Sequence, residues 1–131
     1  KKLKKFLKRR RQIALKYKNA FRKKIPEILL PKCASDINHG YHLFPILVDF
    51  DNYEIDKVTF FRKMYKTGIN LQVHYIPLHF QPFYMENYGY KKGDFIVAEE
   101  FYKKEISLPI YPGLTNKELS FVIDSINKYL K

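Results

Sequence analysis

Apolar residues recur at intervals of three and four from the start of the chain. Leu3, Phe6, Leu7, Ile13, Ala14, Tyr17, Ala20 and Phe21 follow this spacing without a Pro or Gly between them, which predicts an amphipathic helix over 2–24. Pro26 and Pro31 mark its exit, and the small, polar segment 32–40 reads as a loop. Tyr41–Phe50, rich in β-branched and aromatic residues, is the best strand, with Pro45 suited to an edge or bulge because it cannot donate to a ladder. Asp56 is placed to cap a helix through about Thr67, with Val58, Phe61, Met64 and Tyr65 on one side and Gly68 as the left-handed stop. A short strand over Asn70–His74 follows. Asp94 is placed to cap a helix to about Lys104 that buries Ala98, Phe101 and Tyr102, and Ile106–Ile110 is a further strand. Thr115 and Glu118 have capping-box spacing and open a last helix carrying Leu119, Val122, Ile123, Ile126 and Leu130. This order implies one α+β domain, a two-layer arrangement of a small sheet covered by helices.

Charge changes the picture in one place. The chain has 131 residues and a formal net charge of +12. Residues 1–24 hold 13 of the 25 Lys and Arg and none of the 13 acids, so the whole excess belongs to the first helix. A helix of this kind usually presents a solvated face, or meets a neighbouring domain or subunit. Phosphate contact with nucleic acid is the alternative, disfavoured by the lack of a recognisable reader module. The hydrophobic fraction of 46% supports a packed core, and no apolar run is long enough to span a membrane. The single Cys33 cannot form an internal disulfide, which suits a reducing cytoplasm.

The densest candidate chemistry lies in GINLQVHYIPLHFQPFY, residues 68–84. Pro77 and Pro82 stiffen it, Tyr75, Phe80, Phe83 and Tyr84 offer flat faces, and His74, His79 and Gln81 can donate and accept hydrogen bonds. Two readings stand open: the rings fill the core and the imidazoles bind backbone groups, or the loop faces a polar, ring-shaped ligand. No zinc-ligand spacing, glycine-rich phosphate loop or nucleophile elbow accompanies it. The residues point to part of an enzyme and not to a complete catalytic centre.

The ordered set LKKFLKRRRQIALKYKNAF, YHLFPILVDFD, TGINLQVHYIPLHFQPFY and GYKKGDFIVAEEFYKKEISLPIYPGLT, followed by the last helix, resembles the C-terminal domain of the DegT-type nucleotide-sugar aminotransferases. The likeness covers nearly all of residues 1–131. It is nearest to the enzymes of the pseudaminic acid route that aminate a 4-keto sugar on UDP. The resemblance implies a small, mostly antiparallel sheet, as in fold-type I aminotransferases, with 1–24 as a long connecting helix and 32–131 as the small domain. It implies pyridoxal 5'-phosphate (PLP) as cofactor, a nucleotide-sugar and glutamate as substrates, and a homodimer. It places the cofactor, its Schiff-base lysine and all catalytic groups on a large domain outside these residues, so the isolated chain is expected to be inactive and to bind no PLP. His74, Tyr75, His79, Gln81 and Tyr84 match positions implied to meet substrate or a partner subunit. Some members carry Arg where this chain has Ile76, so a phosphate contact there is not implied.

Overall fold

The computed structural model describes residues 2–130. Helix α1, Lys2–Lys24, is followed by strand β1 (Pro45–Leu47), helices α2 (Lys57–Lys66), α3 (Pro82–Tyr88) and α4 (Ile96–Lys104), strand β2 (Glu105–Ser107) and helix α5 (Asn116–Tyr129). The strands pair antiparallel, with Ile46 opposite Ile106. Two antiparallel bridges widen this ribbon, Leu29 to Leu47 on one side and Gln72 to Ser107 on the other. The α+β class and the antiparallel sheet agree with expectation, and α5 packs beside both α1 and α2.

The long helix forms as its spacing predicts, but only its C-terminal half is buried: Ile13, Ala14, Tyr17 and Phe21 enter the core while Leu3 and Phe6 remain exposed. Tyr17 lies 5.1 Å from Phe44, ring centre to ring centre, and Phe21 stacks on it at 5.8 Å. Phe44, Ile46 and Val48 alternate inward, as a strand with one buried face requires. Pro45 opens β1, and its missing N–H falls on the side away from β2, so no ladder bond is lost.

Several expected elements are shorter or turned. The strand over 41–50 begins at Pro45, because Tyr41 adopts φ +46° and the Arg10 guanidinium binds the carbonyls of Tyr41 and His42 at 2.9 and 3.0 Å. The strand over 70–74 is reduced to the Gln72 bridge. Strand β2 starts one residue early, at Glu105, and stops at Ser107. Asp56 caps α2 through the Thr59 amide at 2.9 Å, and Gly68 (φ +84°) closes it. The buried side of α2, however, is Phe60 and Met64, while Val58 and Tyr65 are exposed. Phe60 meets Phe50 at 5.6 Å, which sets the rotation of the helix by a contact ten residues away in sequence. Thr115 and Glu118 form the reciprocal capping box, and the predicted stripe of α5 is buried.

Helix α4 departs furthest from expectation. Phe95, not Asp94, occupies its N-cap and offers no side-chain cap. Asp94 instead accepts the Lys91 amide at 2.8 Å. None of its residues is buried: Ala98 and Phe101 are exposed and Tyr102 is half-buried. Its remaining apolar residues, Ile96 and Val97, face solvent too, Val97 at 86% exposure.

Candidate functional site

The segment 68–84 leaves the sheet at His74 and returns through a short turn, Leu78–Phe80, into α3. The His74–Tyr75 peptide is cis. The His74 amide donates to the Glu105 carboxylate at 3.0 Å, and its half-buried ring meets Tyr75 edge-on at 4.7 Å. Tyr75 is 73% exposed. Together with Pro77 it forms one wall of an open concavity of about 720 Å³ whose other wall is the start of α4, including Phe95, Ile96 and Phe101.

His79 sits behind that wall and is only 5% exposed. Its Nε2 donates to the Glu99 carboxylate at 3.0 Å, and its ring lies between Phe80 and Phe95, at 4.3 and 4.9 Å. The same Glu99 oxygen accepts the Gly93 amide at 2.8 Å and, more weakly, that of Phe95 at 3.5 Å. Burial by itself would raise the Glu99 carboxyl, but the bonds from Gly93, His79 and Phe95 outweigh it and hold the group below its ordinary value. One carboxylate thus joins the 78–80 turn, the loop before α4 and α4 itself. It supplies from within the helix the cap that Asp94 does not.

Gln81 is half-buried at the N-cap of α3, and its amide donates to the Leu78 carbonyl at 3.0 Å. Tyr84 is half-buried and stacks on Tyr88 at 5.9 Å, from which aromatic contacts continue through Tyr90 to Phe95. Of the five expected residues, Tyr75 lines the concavity and His74 adjoins it in the chain. His79 supports its far wall, while Gln81 and Tyr84 belong to α3, outside its lining.

Sequence reasoning missed Glu99 and Glu105. Each left a signal: Glu99 is an acid in the first turn of an apolar helix, and Glu105 is an acid at the head of an apolar strand, where an unpartnered charge would be expensive. Glu105 is fully buried, and Ser107 Oγ donates to its second oxygen at 2.6 Å. Lys57 is near enough for the Glu105 charge to support its ammonium, although burial lowers the Lys57 pKa overall. Lys57 Nζ donates to the Tyr102 carbonyl at 2.6 Å and lies over the Tyr102 and Phe61 rings.

Lys57 is the natural residue on which to test for PLP, since burial lowers its pKa. Its surroundings do not fit the cofactor. The concavity beside it is lined by Val58, Phe61, Val73, Tyr102 and Lys103, with no carboxylate to face a pyridine nitrogen. The ammonium itself is committed to a carbonyl. The surroundings of Lys57 therefore do not build a PLP site.

Residues 1–127 match the DegT/DnrJ/EryC1/StrS aminotransferase family, and the chain belongs to it. Over 121 residues it is 40% identical to the uncharacterized protein MJ1066 of Methanocaldococcus jannaschii, covering 92% of this chain and 31% of that one. It is 33% identical over 131 residues to the UDP-4-amino-4,6-dideoxy-N-acetyl-beta-L-altrosamine transaminase of Campylobacter jejuni, covering all of this chain and 34% of the relative. The solved structure of Helicobacter pylori PseC, an aminotransferase involved in the biosynthesis of pseudoaminic acid, superposes with a TM-score of 0.83 at 27% identity, over 95% of this chain and 33% of PseC. The chain spans about a third of the length of the curated relatives it matches.

Proposed function

We propose that this chain is the C-terminal, substrate-facing part of a PLP-dependent aminotransferase that passes an amino group from glutamate to a keto-sugar carried on a nucleotide. The observation that carries this reading is Tyr75, presented at 73% exposure on the wall of an open concavity, within a chain of aminotransferase family sequence. An exposed phenol and a neighbouring imidazole on a stiff segment suit a sugar or base ring, which needs a flat apolar face and a few hydrogen bonds at its edge. In this reading His74 adjoins that surface, Gln81 and Tyr84 offer further contacts from α3 outside the concavity, and His79 sets the wall in place. The cofactor and its lysine belong to the rest of the protein's length. There PLP supplies the electron sink, while this chain shapes the sugar pocket.

A 4-keto hexose on UDP, as on the pseudaminic acid route, is the preferred substrate, supported by the Campylobacter and Helicobacter relatives. The exposed apolar side of α4 suits burial against a second subunit, in keeping with a homodimer working in the cytoplasm. No helix among the described residues is long and apolar enough to cross a membrane. The alternative, a basic nucleic-acid-binding module, draws less support. Arg9, Arg10 and Arg11 spend their guanidinium groups on the carbonyls of Leu114, Tyr41, His42, His39 and Asn38, holding loops to α1.

The test is to produce the whole protein that carries this chain, supply PLP and glutamate, and offer UDP-linked and dTDP-linked 4-keto sugars. The expected outcome is an aminated sugar nucleotide detected by mass, with 2-oxoglutarate formed in equal amount. A PLP-loaded protein that aminates no nucleotide-linked keto-sugar refutes the reading.

A further inference from the structure

Glu105 is the one acidic side chain buried completely among the described residues. A buried carboxylate is destabilising unless its oxygens are hydrogen-bonded and its charge is balanced. Here one oxygen accepts Ser107 Oγ at 2.6 Å, the other accepts the His74 amide at 3.0 Å, and Lys57 supplies nearby positive charge. Glu105 and Ser107 share a strand face, as the two-residue period of β2 requires.

The register gives the His74 bond its meaning. Gln72 and Ser107 exchange both backbone hydrogen bonds, at 3.3 and 2.8 Å. In an antiparallel ladder the next such pair lies two residues on, which places His74 opposite Glu105. That pair does not form through the backbone, because the Glu105 N–H closes α4 on the Phe101 carbonyl. The His74 amide turns to the Glu105 side chain instead, so the carboxylate takes the bond that the strand's own carbonyl would have accepted. The chain leaves the sheet at this residue, and the next one, Tyr75, emerges into solvent. A longer ladder would have carried Tyr75 along the sheet. A side chain with no acceptor would have left a half-buried amide unpaired.

We propose that Glu105 is a positioning residue: its carboxylate holds the His74 amide where the Gln72 ladder ends and fixes the direction in which Tyr75 meets the nucleotide-sugar. This rests on the reading of 68–84 as the sugar-facing segment. Glu105 touches no substrate in this proposal. It acts through the His74 amide, and its influence falls on the sugar half of the reaction alone.

The whole protein is compared as wild type, Glu105→Gln and Glu105→Leu, with three measurements: KM for the keto-sugar nucleotide, KM for glutamate, and hydrogen exchange at the His74 amide. Glu105→Gln keeps an acceptor for that amide and is expected to stay within about threefold of wild type in all three. Glu105→Leu keeps the bulk and loses the acceptor. It is expected to raise KM for the sugar about tenfold or more, the scale of one charge-assisted hydrogen bond. It should leave KM for glutamate within about twofold and speed exchange at His74. A Leu variant with unchanged sugar KM or unchanged His74 exchange overturns the proposal, as does an equal loss toward both substrates, which is the mark of general destabilisation. Should Glu105→Leu not fold, a Gln variant that loses sugar affinity without faster exchange at His74 overturns it equally. Wild-type protein that aminates no keto-sugar defeats the functional reading and this proposal with it, whereas an active wild type with an indifferent Leu variant defeats this proposal alone.

Discussion

Replacing Tyr17 by Phe isolates one hydrogen bond between the first helix and the far end of the chain. The Tyr17 ring is fully buried against Phe21 and Phe44, and its hydroxyl donates to the Pro109 carbonyl at 2.9 Å, across 92 residues of sequence. Tyr17→Phe keeps the ring and leaves that carbonyl without its partner, a loss of about 1–2 kcal/mol. Tyr17→Ala would also open a ring-sized cavity and destabilise by roughly 3–5 kcal/mol, a large part of the total for a domain of this size. The phenylalanine variant carries a second signature in pH. Burial, and next to it the neighbouring Tyr111, push the Tyr17 phenol well above its ordinary value of 10.0. A folded-state pKa raised above the unfolded one gives stability that is complete below pH 10 and is lost as pH rises toward the folded value. Above pH 10 the unfolded chain releases this proton and the native state keeps it, so wild-type stability falls by up to about 1.4 kcal/mol per pH unit from this group. Tyr17→Phe lacks that loss. Urea unfolding of both proteins between pH 7 and pH 11 should show a gap of about 1–2 kcal/mol at neutral pH that narrows or closes near pH 11. Curves that coincide at pH 7, or run parallel to pH 11, refute the burial and the bond together.

Tyr75→Ala in the whole protein should raise KM for the nucleotide-sugar about tenfold, the scale of a lost aromatic stack, with its midpoint of thermal unfolding unchanged because the side chain is mostly exposed. An unaltered KM would remove Tyr75 from the sugar site. Glu99 has a depressed carboxyl pKa, so its contribution is present above the unfolded value of 4.5 and disappears as pH falls through the lower folded value. Hydrogen exchange at the Gly93 amide, corrected for intrinsic rate, should accelerate on acidification in wild type and show no such step in Glu99→Gln. A step of equal size in both would assign it to another group. The 131-residue chain mixed with PLP and treated with borohydride should acquire no stoichiometric adduct at a single lysine, as peptide mapping would show. A unique, saturable adduct at Lys57 would contradict the fit described for its surroundings.

Local chemistry wrote much of this fold directly. The spacing of Ile13, Ala14, Tyr17 and Phe21, the Asp56 cap, the Gly68 stop and the Thr115–Glu118 box depend on neighbours within one or two helical turns, so they are readable from residue order alone. The segment holding His74 and Tyr75 could be singled out the same way, because proline stiffness and side-chain chemistry are properties of the residues themselves. What the chain order could not fix was decided by partners distant in sequence. Phe50 sets which side of α2 is buried, and Arg10 keeps Tyr41 out of the strand. Glu99 binds His79 across 20 residues of sequence and ties the 78–80 turn to α4. Glu105 meets His74 across 31 residues and holds its amide where the ladder ends. Such contacts follow from sheet register and burial, which exist only once the helices have packed. For that reason the sequence alone could mark the candidate residues, but only the tertiary structure could divide them into those that face outward and those that are packed behind them.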